Sequence, residues 1–324
     1  MPKPTVSVLI PVYNAGPYIQ ACLSSIIGQT FTALEIICVD DGSADDSLQQ
    51  LHKIANQEPR LRVITQTNLG VAATRNRLLQ EARGTYVAFI DADDVIAPDY
   101  LEKLYAAIEK AQADISKCFF KEFDRDPQIL SKAHCTRLFY VQPGPSLAQR
   151  FVAGYYDAVV WGKLFRLETL RHNKLSFLPG QVAEDFPFVI LSFMVAKRIA
   201  YVREVLYLYR KGNNNAITAH GEEMAVGILH NLLNLHSQLQ QRHFFTPGVA
   251  HAWIKSVVWG VCRFRKLSQQ IRRQQECLQK KAWQQARQSV ALCGFWQGLR
   301  WRILFWLVNK CGWKSVYGLS KIFR

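Results

Sequence analysis

One stretch constrains this chain more than any other: an apolar, β-prone run that ends in three carboxylates, YVAFIDADD at residues 86–94. Continuous apolar runs are typical of parallel strands that are buried on both faces. Ligand sites of open α/β sheets lie just beyond the carboxyl ends of such strands. There, a hard divalent cation would offset the charges of Asp91, Asp93 and Asp94, and such a cation in turn suits phosphate groups. The stretch therefore predicts a buried strand followed by a metal and phosphate site.

Strand and helix patterns alternate along the first third of the chain. Apolar runs predict four strands, at residues 5–12, 34–39, 61–65 and 86–90. Apolar residues at helical spacing predict a helix after each strand. Such alternation is typical of βαβ units around a parallel sheet, whose right-handed crossovers bring the strand ends to one edge. We therefore expect the side chains near these strand ends to converge on one ligand: Asp41, Arg75, Asp91 and Asp93.

The rest of the chain changes character near residue 220. Further strand patterns cover residues 114–123, 138–141 and 199–210. An acidic pair beginning at Glu184 opens a helix, a place where acids favour the helix dipole. Later apolar residues recur at helical spacing: Met224, Ile228, Leu232, Leu235 and Leu239. We therefore predict two domains, residues 1–220 with a mostly parallel sheet flanked by helices and residues 221–324 with a basic, aromatic-rich helical region.

Missing motifs exclude several classes of protein. Neither G-x-G-x-x-G nor G-x-x-x-x-G-K-[ST] occurs, which counts against Rossmann dinucleotide binding and P-loop hydrolysis. The eight cysteines lie far apart and form no C-x-x-C pair, so the sequence indicates neither a zinc site nor a disulfide framework. The first residues lack the features of a signal peptide. We therefore expect a cytoplasmic protein with reduced cysteines.

Basic charge is concentrated at the end of the chain. Residues 251–324 carry 15 of the 40 basic side chains and one acidic side chain. Their last segment, Phe295–Arg324, interleaves aromatic and basic residues, and its longest apolar run, Ile303–Val308, has six residues, too few to span a bilayer. This composition favours a helix on anionic headgroups, and so a peripheral location on the inner face of the cell membrane. The alternatives are a subdomain that packs its aromatics internally and, less favoured because no recognised module is present, nucleic-acid binding.

Six short motifs occur in the order known from one family. They are SVLIPVYN, VDDGS, NLGVAATRN, YVAFIDADD, WGKLFR and AEDFPF. Together they resemble glycosyltransferase family 2, whose members have the GT-A fold, and the resemblance covers roughly residues 5–220. It implies an inverting, metal-dependent transferase that moves one sugar from a nucleoside diphosphate sugar to a hydroxyl of a lipid-linked or surface-polysaccharide acceptor. Uridine diphosphate is the favoured nucleotide, with guanosine diphosphate open.

The resemblance places the sugar donor along the strand ends. Asp93 would bind the metal, Mn²⁺ or Mg²⁺, and Asp91 would lie near the ribose and sugar, whereas Asp94 is assigned to a turn or cap. Asp41 would accept a hydrogen bond from the uracil ring, with a helix-entry role as its alternative. Arg75 would contact the nucleotide or sugar, with a plain salt bridge as its alternative. The remaining donor-binding residues implied are Pro11, Tyr13, Asn68 and Arg210.

The resemblance assigns the acceptor side to the last two motifs. Asp185 would be the base that takes the proton of the acceptor hydroxyl. Glu184, Trp161 and Lys163 would line the acceptor side. The structural alternatives are two acids at a helix N-terminus, a core tryptophan, and a lysine that buries only its stem.

The sequence departs from the family pattern after Arg210. Ala216 stands where the family often has a serine, and the preceding residues Asn213–Asn215 are possible substitute donors. A later His220 is a candidate for a further metal ligand. A Q-x-x-R-W sequence at residues 297–301 is similar to that of processive synthases but lies far beyond Asp185, so we predict addition of a single sugar.

Two other classes of function remain as alternatives. One is a nucleotide-sugar-binding or membrane-scaffold protein without turnover, for which the departure at Ala216 leaves room. The other is a nucleotidyltransferase, which is disfavoured because the first loop, YNAGPY, is not the usual Gly-rich loop carrying Arg and Lys.

Overall fold

The structure is a computed structural model, and it describes residues 3–124, 139–143, 159–180, 182–211, 221–264, 267–293, 298, 301–302 and 304–305. The described residues divide into two compact units, with the division at Gly221. The first unit contains the strands and the second is helical. The functions predicted for the two parts of the chain remain predictions.

The strands of the first unit form a single sheet. In chain order, β1 to β9 are Val6–Val12, Leu34–Asp40, Leu61–Thr65, Tyr86–Phe89, Val95–Ile96, Ile115–Phe123, Phe139–Gln142, Lys163–Arg166 and Ile199–Arg210. Within the described ranges their order in the sheet is β3-β2-β1-β4-β8-β6-β9-β5, and β7 pairs with β9.

The first four strands are parallel, as predicted from their apolar runs. Val12 pairs with Asp40, and Asp40 pairs with Thr65, so β1, β2 and β3 end at one edge of the sheet. β4 also runs parallel to β1. Most of their side chains are fully buried because helices cover both faces. The expected convergence of the strand ends is therefore present.

The second half of the sheet is mixed, so antiparallel strands extend the mostly parallel arrangement that the sequence predicted. β8 pairs antiparallel with both β4 and β6, and β5 and β7 pair antiparallel with β9. Only β6 and β9 are parallel among these later pairings of the described strands. The antiparallel partners are far apart in sequence, so no local pattern indicates them.

Six described helices belong to the first unit. They are α1 Gly16–Ile27, α2 Ser47–Ala55, α3 Val71–Glu81, α4 Tyr100–Lys110, α5 Leu167–His172 and α6 Asp185–Val195. Helix α1 buries Ile19, Cys22 and Ile26 along one face, which is the spacing of an amphipathic helix. Helix α6 is buried from Phe186 to Met194, so it is a core helix whose first residue lies beside the site described below.

The described part of the second unit contains α7 Gly221–Gln241, α8 Pro247–Phe264, α9 Gln269–Gln274, α10 Glu276–Ser289 and a 3₁₀ turn, Val290–Leu292. The predicted apolar face of α7 is buried at Leu232, Leu235 and Leu239. None of the helices in the described ranges is long and apolar enough to cross a membrane.

Most of the aromatic and basic segment after residue 294 lies outside the described residues. Of its described members, Trp301 is 2% exposed and donates a hydrogen bond to Nδ1 of His251 over 2.9 Å. Phe305 packs edge-on against Trp283. At these two positions the aromatics pack internally, as the alternative interpretation expects, and the membrane contact of this region remains a prediction.

Candidate active site

Asp41 fastens the segment that leads into helix α3. Its side chain follows β2 and is buried. The carboxylate accepts hydrogen bonds from Nε2 of Gln66 at 2.8 Å and from the backbone N–H groups of Leu69 and Gly70, both at 2.9 Å. Gly70 has φ +85°, a conformation that favours glycine. Asp41 therefore has the structural role of holding a helix entry, and its contact with a base remains a prediction.

Exposed side chains surround Asp41 at this edge. The backbone N–H of Asp41 donates to the carbonyl of Val12, which sets Tyr13 beside it, and Tyr13 is 53% exposed. Leu69, bonded to Asp41 through its own N–H, is 60% exposed. Pro11 and Asn68 also keep exposed surface. The predicted base-binding residues thus lie together, and Leu69 is an apolar neighbour that the sequence analysis did not single out.

The three aspartates after β4 form a tight turn with unequal exposure. The N–H of Asp94 donates to the carbonyl of Asp91 over 3.1 Å. Asp91 and Asp93 are partly exposed, whereas Asp94 is completely buried. Asp94 accepts hydrogen bonds from Oη of Tyr207 at 2.6 Å and from the N–H of Arg210 at 2.7 Å. Asp94 is therefore more than the turn or cap residue we predicted, because it joins the turn to β9.

Burial shifts the pKa of Asp94. Loss of solvent raises the pKa of its carboxyl group well above the ordinary value, and the charges of Asp91 and Asp93 add to that rise.

Arg75 joins the two acidic motifs of the sequence. Its guanidinium pairs with Asp91 at 2.8 Å and, through the other terminal nitrogen, with Glu184. The Arg75 side chain is 6% exposed and lies over the ring of Phe177 at 5.7 Å. The salt bridge that was the alternative interpretation of Arg75 is present, and its contact with the nucleotide or sugar remains a prediction. Asp91 and Glu184, which belong to two distant motifs, thereby share one cation.

The surrounding carboxylates hold Arg75 in its charged form. Burial opposes the charge, but the negative charges of Asp91, Glu184 and Asp185 outweigh it and raise the pKa of the guanidinium above its ordinary value. A buried cation of this kind is stable only with its partners in place.

Asp185 is the first residue of α6 and follows Glu184, which pairs with Arg75. It keeps part of its surface exposed, and Ala183 before it has φ +60°. Desolvation of the carboxyl group and the charge of Glu184 raise the pKa of Asp185 to about 7, against the opposing effects of Arg75 and Lys163. A carboxylate with such a pKa is suited to accept a proton near neutrality.

Trp161 and Lys163, predicted to line the acceptor side, are instead buried. Trp161 is 6% exposed and stacks on Tyr207 and Tyr209 at centroid distances of 4.6 and 5.2 Å. Lys163 is 1% exposed, and its Nζ donates to the carbonyls of Val159 at 2.6 Å and Trp161 at 3.3 Å. The alternative of a core tryptophan is therefore present. Lys163 is buried to its terminal nitrogen, so the alternative of a lysine that buries only its stem is wrong.

Arg210 lies against the backbone of the acidic turn. Its Nε donates to the carbonyl of Asp93 over 2.8 Å, and the guanidinium lies over the rings of Tyr18 at 4.9 Å and Phe123 at 4.4 Å. The proposed substitutes Asn213–Asn215, together with Ala216 and His220, lie outside the described residues.

Comparison with known proteins identifies the family. Residues 7–170 match the family model described as "Glycosyl transferase family 2". The chain belongs to glycosyl transferase family 2. Over 221 residues, 66% of this chain, it is 34% identical to "Uncharacterized glycosyltransferase EpsJ" of Bacillus subtilis (strain 168), and the match covers 63% of that relative. Less than two thirds of the relative therefore has a counterpart here.

Solved structures show that this family 2 chain has the GT-A fold. S. aureus TarS 1-349 in complex with UDP-GlcNAc gives a TM-score of 0.70 at 22% identity, covering 89% of this chain and 84% of that one. The mannosyltransferase PcManGT from Pyrobaculum calidifontis, in complex with GDP-Man and Mn²⁺, gives 0.58 at 16% identity, covering 97% and 83%.

The acidic turn of this family 2 chain fits a divalent cation that is shared with a phosphate. Asp91 and Asp93 offer carboxylate oxygens at a partly exposed strand end. Across the part of the chain that the structure describes, no three His, Cys, Asp or Glu side chains are grouped for a metal. One or two carboxylates together with substrate phosphates and water is the donor set that Mg²⁺-like ions take in proteins.

Tyr207 is a site residue that sequence reasoning missed. Alternation in β9 places Tyr207 and Tyr209 on one face, but nothing local says that this face meets Asp94. The contact spans 113 residues.

Proposed function

We propose that this chain is a glycosyltransferase that moves one sugar from a nucleoside diphosphate sugar to a hydroxyl group, with inversion at the sugar carbon. The observation that carries the proposal is the shared guanidinium of Arg75, which pairs with donor-side Asp91 and with Glu184 beside Asp185. A single cation thus sets the candidate metal turn and the candidate base side by side, as a direct displacement requires.

The donor nucleotide lies at the edge around Asp41. Tyr13 and Leu69 offer exposed apolar surface for a base. Oδ2 of Asp41 accepts one described hydrogen bond, and a carboxylate oxygen has capacity for a second donor such as the ring N–H of uracil. Guanine carries a ring N–H as well, so this contact accommodates either base, and the family resemblance is what favours uridine diphosphate over guanosine diphosphate. Among the similar structures, TarS is in complex with UDP-GlcNAc and PcManGT with GDP-Man.

Asp93 would hold the divalent cation, Mn²⁺ or Mg²⁺, with Asp91 next to it. When bound, the cation acts as a Lewis acid that stabilises the charge of the departing diphosphate. Arg75 neutralises part of the charge of Asp91, which lowers the repulsion between that carboxylate and an incoming diphosphate. Arg210 adds a cation behind the turn, at the carbonyl of Asp93.

Asp185 takes the proton of the acceptor hydroxyl as the oxygen attacks the sugar. With a pKa of about 7, about half of this group is ionised at neutral pH, and the ionised form is basic enough to accept a proton. Glu184 and Lys163 are buried, so they tune Asp185 rather than contact the acceptor. Trp161 supports the site from the core.

The acceptor is a lipid-linked or surface-polysaccharide hydroxyl, and the chain works at an anionic membrane surface. This part of the proposal rests on the 15 basic side chains among residues 251–324. On the described helices, Arg272, Arg273, Lys281 and Arg287 are exposed, as contact with anionic headgroups requires.

A thermal-shift panel of nucleotide sugars tests the donor assignment. Ligands that bind the folded state raise its apparent stability. We expect a uridine diphosphate sugar with Mn²⁺ to raise Tm, and Asp93→Ala to lose the Mn²⁺-dependent part of the shift. An equal shift in Asp93→Ala would contradict the metal role. Donor binding with no sugar release over a range of acceptors would favour the non-catalytic binding or scaffold protein.

A further inference from the structure

A buried carboxylate–tyrosine pair lies directly behind the acidic turn and has no role in the chemistry proposed above. Asp94 and Tyr207 have no exposed surface. Oη of Tyr207 donates to Oδ2 of Asp94 over 2.6 Å and accepts the backbone N–H of Asp91 over 3.3 Å. One tyrosine hydroxyl therefore holds both ends of the turn that carries the candidate metal ligands.

Strand β9 also holds the same turn through the backbone and side chain of Arg210. Oδ1 of Asp94 accepts the N–H of Arg210 at 2.7 Å, and Nε of Arg210 donates to the carbonyl of Asp93 at 2.8 Å. Immediately after the turn, Val95 pairs with Leu208 in the β5–β9 ladder. The position of the turn is thus fixed by β9 as much as by β4.

The ring that carries the hydroxyl is itself held in place. Trp161 stacks on Tyr207 with a centroid distance of 4.6 Å and an interplanar angle of 10°. Burying a carboxylate and a phenol costs free energy unless both are hydrogen-bonded, and an apolar pair of similar volume can fill such a space without that cost. A need to fix the turn explains why a polar pair stands here.

We infer that Asp94 and Tyr207 are positioning residues that preorganise Asp91 and Asp93 for the divalent cation and the diphosphate. This inference rests on the proposed function and names the residues that support its metal site. Loss of a group that orients metal ligands typically lowers metal affinity by about 10- to 100-fold. Removing a member of the pair is thus expected to raise the metal concentration needed for half-saturation. Turnover at saturating metal should change little.

The test compares two tyrosine hydroxyl deletions. Tyr207→Phe removes the hydroxyl that contacts Asp94. The matched control is Tyr86→Phe, since Tyr86 is 2% exposed and its Oη also donates to a carboxylate, that of Glu109, but at the other end of β4. Mn²⁺ is titrated against each protein in the presence of uridine diphosphate. The Mn²⁺ midpoint is read from the Tm and independently from the free Mn²⁺ signal in electron paramagnetic resonance.

We expect both variants to lose some Tm in the absence of ligand, and Tyr207→Phe alone to require at least about tenfold more Mn²⁺. An unchanged Mn²⁺ midpoint in a folded Tyr207→Phe protein would overturn the inference and leave the pair a purely structural role. If Tyr207→Phe does not fold, Asp94→Asn takes its place. Both carboxylate oxygens of Asp94 accept hydrogen bonds, and asparagine has only one side-chain oxygen, so one of the two bonds is lost. Absence of any Mn²⁺-dependent stabilisation in the unsubstituted protein would instead overturn the proposed function itself.

Discussion

At the scale of the residue, Asp185 shows how neighbours distant in sequence define a chemical group. The Glu-Asp pair was recognisable in the sequence, and so was its position at a helix start. Its pKa of about 7 was not, because burial of the carboxyl group and the charge of Glu184 raise the pKa, while Arg75 and Lys163, which the fold brings from other motifs, lower it. The sequence therefore predicted which residue is the candidate base, but it did not predict the pKa of that residue.

The pH dependence of transfer tests these surroundings. Because Asp185 acts as a base only when ionised, the rate should rise as pH increases through about 7. Glu184→Gln removes a charge that raises the pKa and should move the midpoint of the pH–rate profile down. Arg75→Gln removes a charge that lowers it and should move the midpoint up. Midpoints that shift in the same direction in both variants would contradict this assignment.

Stability should change with Asp185 in a direction set by the same pKa. Its folded-state pKa of about 7 lies above the ordinary carboxyl value, so the favourable contribution of the protonated group is lost as pH rises through that range. Asp185→Asn should therefore stabilise the fold by ~1–2 kcal/mol at pH 8. The gain should shrink toward pH 4, as measured by urea unfolding. An Asp185→Asn variant that is less stable than the unsubstituted protein at pH 8 would show that the ionised carboxylate does not destabilise the fold.

At the scale of the element, the parallel half of the sheet was predictable and the mixed half was not. Apolar runs with helices between them indicate β1 to β4, and their common edge follows from topology alone. The WGK motif was misread because β8 inserts between β4 and β6, which buries Trp161 and Lys163. Pairing between strands so distant in the chain leaves no periodic signal.

The loop before α3 gives a prediction about an element. Asp41→Ala removes the acceptor of three hydrogen bonds, so the loop should loosen. We expect a loss of about 2–4 kcal/mol in unfolding free energy and a donor KM raised at least about tenfold. Asp45→Ala is the control, because Asp45 binds the N–H of Gly16 and the hydroxyl of Ser47 at another helix entry. It should lose stability with an unchanged donor KM, and equal KM values in the two variants would refute the role of Asp41.

At the scale of the whole molecule, the strands of the sheet and the excess positive charge lie in different parts of the sequence. The acidic strand ends lie in the first unit, and the excess of basic residues lies beyond residue 250. Composition made this segregation visible without any structure. Composition alone did not show that Trp301 and Phe305 pack internally, because the same residue types suit a membrane surface and a helical core.

Vesicle binding tests the membrane part of the proposal. Reversing the charge of four exposed cations of the second unit should reduce co-sedimentation with phosphatidylglycerol vesicles at least tenfold, on the basis of about 1 kcal/mol per cation; they are Arg272, Arg273, Lys281 and Arg287. The control reverses four exposed lysines of the first unit, Lys53, Lys121, Lys174 and Lys197. Equal losses in the two proteins would show a nonspecific charge effect. Binding to neutral phosphatidylcholine vesicles should be weak throughout.

The central claim is that Asp93 and Asp185 act in one site on one nucleotide-sugar donor. The most direct measurement follows donor consumption by ³¹P nuclear magnetic resonance, with Mn²⁺ and a glycan acceptor, in the unsubstituted protein, Asp93→Ala and Asp185→Asn. We predict release of the nucleoside diphosphate by the unsubstituted protein and a loss of at least about 100-fold in each variant. Full turnover by Asp93→Ala, or a donor that binds but is never consumed, would contradict the account.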